Sequence, residues 1–140
     1  MNIKDLIPQR EPFLFIDKII DMTDANITVE YTFNSSLEFF KGHFPANPIV
    51  PGVILNEHCF QSGAALIASK SSEGIGNKLA VVSRITNAKF KNIVRPNEKI
   101  TTTTELVETL ANAAYFKSTV KVDHKKVLTI DFACTLVEEQ

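Results

Sequence analysis

This 140-residue chain has no tryptophan, two cysteines and five glycines, and its charges nearly cancel: fifteen Lys and Arg against sixteen Asp and Glu leave a net −1. Each scarcity excludes something. A near-neutral chain lacks the broad positive field with which nucleic-acid-binding proteins engage phosphate, so no nucleic acid partner is expected. Cys59 and Cys134 both sit in apolar company, which is not a disulfide framework and suits a reducing cytoplasm. The opening MNIKDLIPQREP is too polar for a secretion signal, and no run approaches the roughly 18 unbroken apolar residues of a membrane span. A soluble cytoplasmic protein is expected.

What is present fits one globular domain over residues 1–140, large enough to bury a complete core without metal or disulfides. PFLFIDKII (12–20) and ITVEYTF (27–33) read as strands, with Asp24, Ala25 and Asn26 as the turn between them. Residues 79–91, 99–110, 113–123 and 126–138 are rich in Val, Ile, Thr and Phe and are separated by polar turn residues. About six strands, mostly hairpin-linked, imply an antiparallel sheet. Pro51 and Gly52 open the one strong helix, VILNEHCFQSGAALIASK, which Ser71, Ser72 and Gly74 close. Its apolar residues face nearly every direction, so it wants cover on most sides. A curved antiparallel sheet wrapped around one long central helix, an α+β fold, is the most economical arrangement.

From Gly42 to Ser69 the chain carries a single formal charge, Glu57. A carboxylate in a mostly buried helix loses hydration, which raises its pKa unless a cation or several donors compensate. Gln61 lies four residues on, on the same face as Val53, Ala64 and Ala68, so two polar tips are flanked by small side chains. Either Glu57 leaves the helix toward solvent or it lines a functional cleft. His43 favours the cleft: it precedes the helix in a loop stiffened by Pro45, Pro48 and Pro51. An imidazole and a carboxylic acid brought together form a general base and acid pair. At the helix start, the Gly52 N–H has no Cβ beside it to block an approaching oxygen.

These residues resemble the beta-hydroxyacyl-[acyl-carrier-protein] dehydratases of the FabZ type, which have the hot-dog fold. The likeness rests on PFLFID (12–17), Phe39-Phe40, Gly42-His43-Phe44-Pro45, Pro48, Val50-Pro51-Gly52-Val53, Glu57 and Gln61, Asn87-Ala88-Lys89-Phe90 and Val94-Arg95-Pro96. It implies loss of water from a 3-hydroxyacyl thioester on acyl carrier protein, with His43 as base and Glu57 as its acid partner. By the same resemblance Gly52 polarises the thioester carbonyl and Gln61 supports Glu57. His43 and Glu57 come from different subunits of a homodimer, which can assemble further into a hexamer. No metal or organic cofactor is implied. Phe44 and Phe60 are candidate walls of an acyl tunnel, although Phe60 also reads as core.

The chain departs from the common pattern at Gln9, Asn47, Asn56 and Asn97-Glu98, which bears on substrate choice and leaves a specialised acyl pathway open beside fatty acid synthesis. Residues 84–99 hold a local excess of four positive charges. Lys89, Lys91 and Arg95 could therefore steer an acidic carrier protein, or form an ordinary solvated face. Other chemistries find less support. His58 and Cys59 point apart on the helix, and His124 sits among Asp123 and lysines, so no group has metal-ligand spacing. Ser62, Ser69 and Ser83 have no evident base. Two competing functions remain on the same fold: an acyl thioester hydrolase using Glu57, and a non-catalytic acyl-binding subunit.

Overall fold

The computed structural model describes residues 1–70 and 78–138. Strands β1 (Lys18–Met22) and β2 (Asn26–Thr32) precede the helix α1 (Gly52–Ser69), and β3 (Lys78–Phe90), β4 (Lys99–Leu110), β5 (Ala113–Val122) and β6 (Lys125–Glu138) follow it. They form one six-stranded sheet in the order β1-β2-β4-β5-β6-β3, with every neighbouring pair antiparallel. β5 and β6 are joined by a tight hairpin whose Asp123 and His124 both have positive φ, 50° and 72°, the backbone twist such turns need. His124 is thus a turn residue.

Alternation places Ile27, Val29 and Tyr31 of β2, Ile100 of β4, Phe116 and Val120 of β5 and Leu128, Ile130 and Phe132 of β6 inward, all buried. The helix lies on that face and touches β2 through β6, as the expected curved sheet around a central helix requires. Gly63 lets it come close. A Cβ there would stand 3.1 Å from the Phe132 ring and 3.3 Å from Phe116, so a larger residue would push helix and sheet apart.

One boundary differs clearly from the sequence expectation. The strand expected over 12–20 begins only at Lys18, because the backbone just before it is held by helix side chains instead of a neighbouring strand. The Phe15 N–H donates to Gln61 Oε1 at 2.9 Å, and the Phe15 carbonyl meets His58 Nδ1 at 2.6 Å. Regular pairing starts at the Asp17 N–H, which donates to the Glu30 carbonyl. At the other end of the helix, Lys70 caps α1, and the expected closure by Ser71, Ser72 and Gly74 lies outside the described residues.

Between helix and sheet runs a polar seam. His58 Nε2 is 2.7 Å from Thr102 Oγ1, and Ser62, Thr104 and Ser118 form a chain of hydroxyls, each link 2.6 Å. All five are buried and each has a partner, which makes such polar groups tolerable in a core. The Phe15 carbonyl can only accept, so His58 carries its proton on Nδ1, and Nε2 accepts from Thr102. Burial lowers the His58 pKa to about 4, against a smaller raising effect of the Phe15 carbonyl. Between pH 6.5 and pH 4 the unfolded chain therefore binds a proton that the folded one refuses. Stability from this group is complete above about 6.5 and lost as pH falls toward 4, by roughly 3 kcal/mol. The gap in unfolding free energy between wild type and His58→Gln, measured by urea titration, should narrow over that interval.

Candidate functional site

The two polar tips expected on one helix face are joined: Gln61 Nε2 donates to Glu57 Oε2 at 3.0 Å and to the Phe13 carbonyl at 2.9 Å. Glu57 is half-buried in the second turn of α1. Burial pushes its pKa up, and the Gln61 hydrogen bond only partly opposes this. A carboxyl held toward its neutral form can donate a proton.

Glu57 opens on a cavity of about 410 Å³ lined also by Phe13, Phe60, Ala64, Val82 and Ile85. Apart from Glu57 and Gln9, its walls are apolar or carry the Cys134 thiol. Burial, with the Glu57 charge adding to it, raises the Cys134 pKa to about 12, so the sulfur stays protonated and is no nucleophile at neutral pH. Phe60 reconciles both sequence readings: it faces the cavity and also packs edge-on against Phe132, 5.0 Å between ring centres. Val53 is 72% exposed, whereas Ala64 and Ala68 are buried. The small-residue stripe is thus open at Val53 and, where the cavity reaches it, at Ala64.

His43 follows the short 3-10 helix Glu38–Lys41. Its own N–H donates to the Phe39 carbonyl and its carbonyl accepts from Ile49 N–H. The ring is fixed as well: Nδ1 lies 3.1 Å from the Ile49 carbonyl, and Phe44 stacks on it at 4.1 Å. Because that carbonyl only accepts, the contact puts an N–H on Nδ1 and leaves Nε2 outside it. His43 is not among the residues lining the Glu57 cavity, and Phe44 is half exposed and does not line it either.

At the helix start, the first intrahelical bonds are those of Ile54 and Leu55 to the Pro51 carbonyl, which leaves the Gly52 N–H outside the ladder. Phe90 covers the α-carbon: a Cβ on Gly52 would be 3.0 Å from its ring. Lys89 lies exposed in β3 and Lys91 just beyond it. Lys91 and Arg95 line a separate cavity of about 560 Å³ with Lys125, Glu98 and Asp123. Arg95 has a second engagement, absent from the sequence reading: its Nη1 donates to Asn47 Oδ1 at 3.0 Å, tying that basic patch to the His43 loop. In the sequence His58 stands out only as a poorly spaced metal-ligand candidate. With both ring nitrogens engaged, it is a tether between helix, β4 and the segment around Phe15.

Residues 7–131 match the FabA-like domain family. Among curated proteins, the chain is 35% identical over 140 residues to the 3-hydroxyacyl-[acyl-carrier-protein] dehydratase FabZ of Rickettsia bellii, covering 99% of this chain and 95% of that protein. It is 38% identical over 127 residues to FabZ of Clostridium botulinum, covering 90% and 87%. Among solved structures, the dehydratase heterocomplex ApeI:P from Xenorhabdus doucetiae superposes with a TM-score of 0.83 at 12% identity, over 99% of this chain and 92% of that one. A hypothetical thioesterase with coenzyme A from Streptococcus pneumoniae gives 0.67 at 13%, over 88% and 87%. The structural likenesses establish the hot-dog fold alone. The sequence likenesses run nearly end to end, and by them the chain belongs to the FabA-like family, among the 3-hydroxyacyl-[acyl-carrier-protein] dehydratases named FabZ.

Proposed function

We propose that the protein dehydrates (3R)-hydroxyacyl groups on acyl carrier protein to trans-2-enoyl thioesters, in the cytoplasm, as a step of fatty acid or related acyl-chain biosynthesis. The observation that carries this reading is Glu57, a half-buried helix carboxyl biased toward its neutral form and oriented by Gln61 over an apolar cavity. Elimination needs a base at C2, a place for charge on the thioester oxygen and an acid at the 3-hydroxyl. His43 Nε2 takes the C2 proton. The Gly52 N–H, with the partial positive charge of the helix start behind it, stabilises the oxygen as it gains charge. Protonated Glu57 gives its proton to the departing hydroxyl, which leaves as water, and the C2–C3 double bond forms. His43 ends charged and Glu57 ionised, so one proton must return from imidazole to carboxylate before the next turnover.

Base and acid meet across a homodimer in this reading. β3 is a sheet edge thirteen residues long, and Val81, Val82, Ile85 and Phe90 on it are all exposed, as is Val53 at the helix start. An apolar edge of that length is normally covered by another strand or chain. Pairing two such edges brings a second α1 and a second His43 loop toward the Glu57 cavity, and further association of dimers would give a hexamer. No cofactor enters the chemistry proposed.

His43→Ala and Glu57→Gln should each lose at least ~10²-fold in kcat while the native mass is kept. Mixed, unfolded and refolded together at equal amounts, the two inactive variants should recover about a quarter of wild-type activity, since a mixed dimer rebuilds one of its two sites. Recovery of nothing would place both groups within one chain. Enoyl absorbance followed beside free thiol separates dehydration from hydrolysis, and the absence of both would leave only acyl binding.

Lys89, Lys91 and Arg95 are proposed to guide the acidic carrier protein. Charge reversal at Lys89 and Lys91 together should raise KM for carrier-bound substrate severalfold more than for a small thioester. Equal effects on the two substrates would exclude docking.

A further inference from the structure

Helix side chains hold both backbone polar groups of Phe15: Gln61 Oε1 takes its N–H at 2.9 Å, and His58 Nδ1 donates to its carbonyl at 2.6 Å. A neighbouring strand holds a residue in the same two-point way. Held at one point, a peptide can turn about that bond; held at two, it cannot. Gln61 lies three residues past His58 and four past Glu57, so on the helix surface it neighbours both. It gives one N–H to the Phe13 carbonyl and the other to Glu57. The direction of that last N–H therefore follows the position of residues 13–15, and His58 supplies the second point that fixes this position.

His58 is itself secured, because Thr102 Oγ1 of β4 stands 2.7 Å from its Nε2. Burial lowers its pKa to about 4, so the ring is neutral at neutral pH and Nδ1 donates throughout the range in which a raised carboxyl titrates. An apolar side chain would fill the same space but leave the Phe15 carbonyl, in a residue only 2% exposed, without a donor. His58 does not line the Glu57 cavity and has no contact with a reacting group. Resting on the dehydratase reading above, we propose that His58 is a positioning residue: through Phe15 it holds the Gln61 amide, and with it the Glu57 carboxyl, in the orientation that dehydration needs.

The experiment compares wild type with His58→Asn and His58→Leu. The two replacements have nearly the same shape, but only Asn places an N–H where Nδ1 stands. One readout is the titration midpoint of the Glu57 carboxyl by carbon-13 NMR, assigned with Glu57→Gln; the other is kcat and KM on a 3-hydroxyacyl N-acetylcysteamine thioester. Of the described side chains around the Glu57 cavity, only the Cys134 thiol of β6 also titrates. Burial, with the Glu57 charge adding to it, raises that thiol to about 12, and the second protomer's His43 proposed above is common to all variants, so a moved midpoint reports on Gln61. In His58→Leu the midpoint should rise by about one pH unit as the carboxylate loses its donor, and kcat should fall about tenfold with KM nearly unchanged. His58→Asn should keep both wild-type values, a rescue that a general loss of core packing does not produce. An unmoved midpoint, an unchanged kcat, or Asn performing no better than Leu overturns the proposal. Should His58→Leu not fold, His58→Gln, whose amide stands where Nε2 does and reaches Thr102 instead of Phe15, takes its place with the same expectation. Should the wild type dehydrate nothing, the dehydratase reading fails instead, and the NMR midpoints still decide whether His58 orients the carboxyl.

Discussion

One amide, the side chain of Gln61, fixes the polarity of the whole candidate site. Its oxygen is taken by the Phe15 N–H, a group that can only donate, and one Nε2 hydrogen goes to the Phe13 carbonyl, which can only accept. The orientation that is ordinarily ambiguous for a glutamine is thus dictated by backbone on both sides. The remaining N–H must point at Glu57. A carboxyl facing a donor is steadied in its ionised form, yet desolvation is the larger effect and keeps the pKa raised. A group held between these two influences can give up a proton and take it back. The segment 12–17 therefore does more than cover the helix, since its backbone sets which atom the acid meets.

The same segment explains why so apolar a helix is not fully covered. The sheet protects one side of α1, and residues around Phe13 and Phe15, clamped by Gln61 and His58, protect part of another. The face bearing Val53, Glu57 and Phe60 is left half-open, beside a β3 edge that has its own exposed apolar side chains. A helix that is hydrophobic all round favours association wherever the fold leaves it uncovered. The uncovered face and the Glu57 carboxyl are the same place, so exposed apolar surface and a half-buried carboxyl share one part of the helix.

That feature was legible before any coordinates. A single charge in the stretch from Gly42 to Ser69, with Gln61 one turn later, marks Glu57 as unusual, and the structure places both in one hydrogen-bonded pair. The last four strands were equally legible, because Val, Thr and Ile alternate there and turn residues separate the runs. PFLFID was misread as strand because its composition is that of a strand. Its backbone partners are side chains 43 to 48 residues away, a pairing that no local pattern encodes. His58 was hidden for a related reason. A histidine in an apolar helix suggests a ligand or a misfit until both of its nitrogens are seen to be engaged.

Departures from the family pattern also acquire physical reasons. Asn97 has φ 69°, a left-handed conformation that glycine adopts freely and asparagine tolerates better than most residues, and its Oδ1 accepts from Ser35 N–H. Glu98 in turn accepts from the Arg95 N–H, so Asn97 and Glu98 together hold the turn between β3 and β4. Asn47 is different, because it receives Arg95 from across the turn between β3 and β4, and Val50 N–H donates to the Val94 carbonyl beside it. The loop bearing His43 is thus anchored to the end of the sheet at the basic patch, while Glu57 is anchored through Gln61 to the opening segment. His43 and Glu57 are held by separate parts of the chain. The Asn47–Arg95 hydrogen bond belongs to the first of these anchors and the Glu57–Gln61 hydrogen bond to the second.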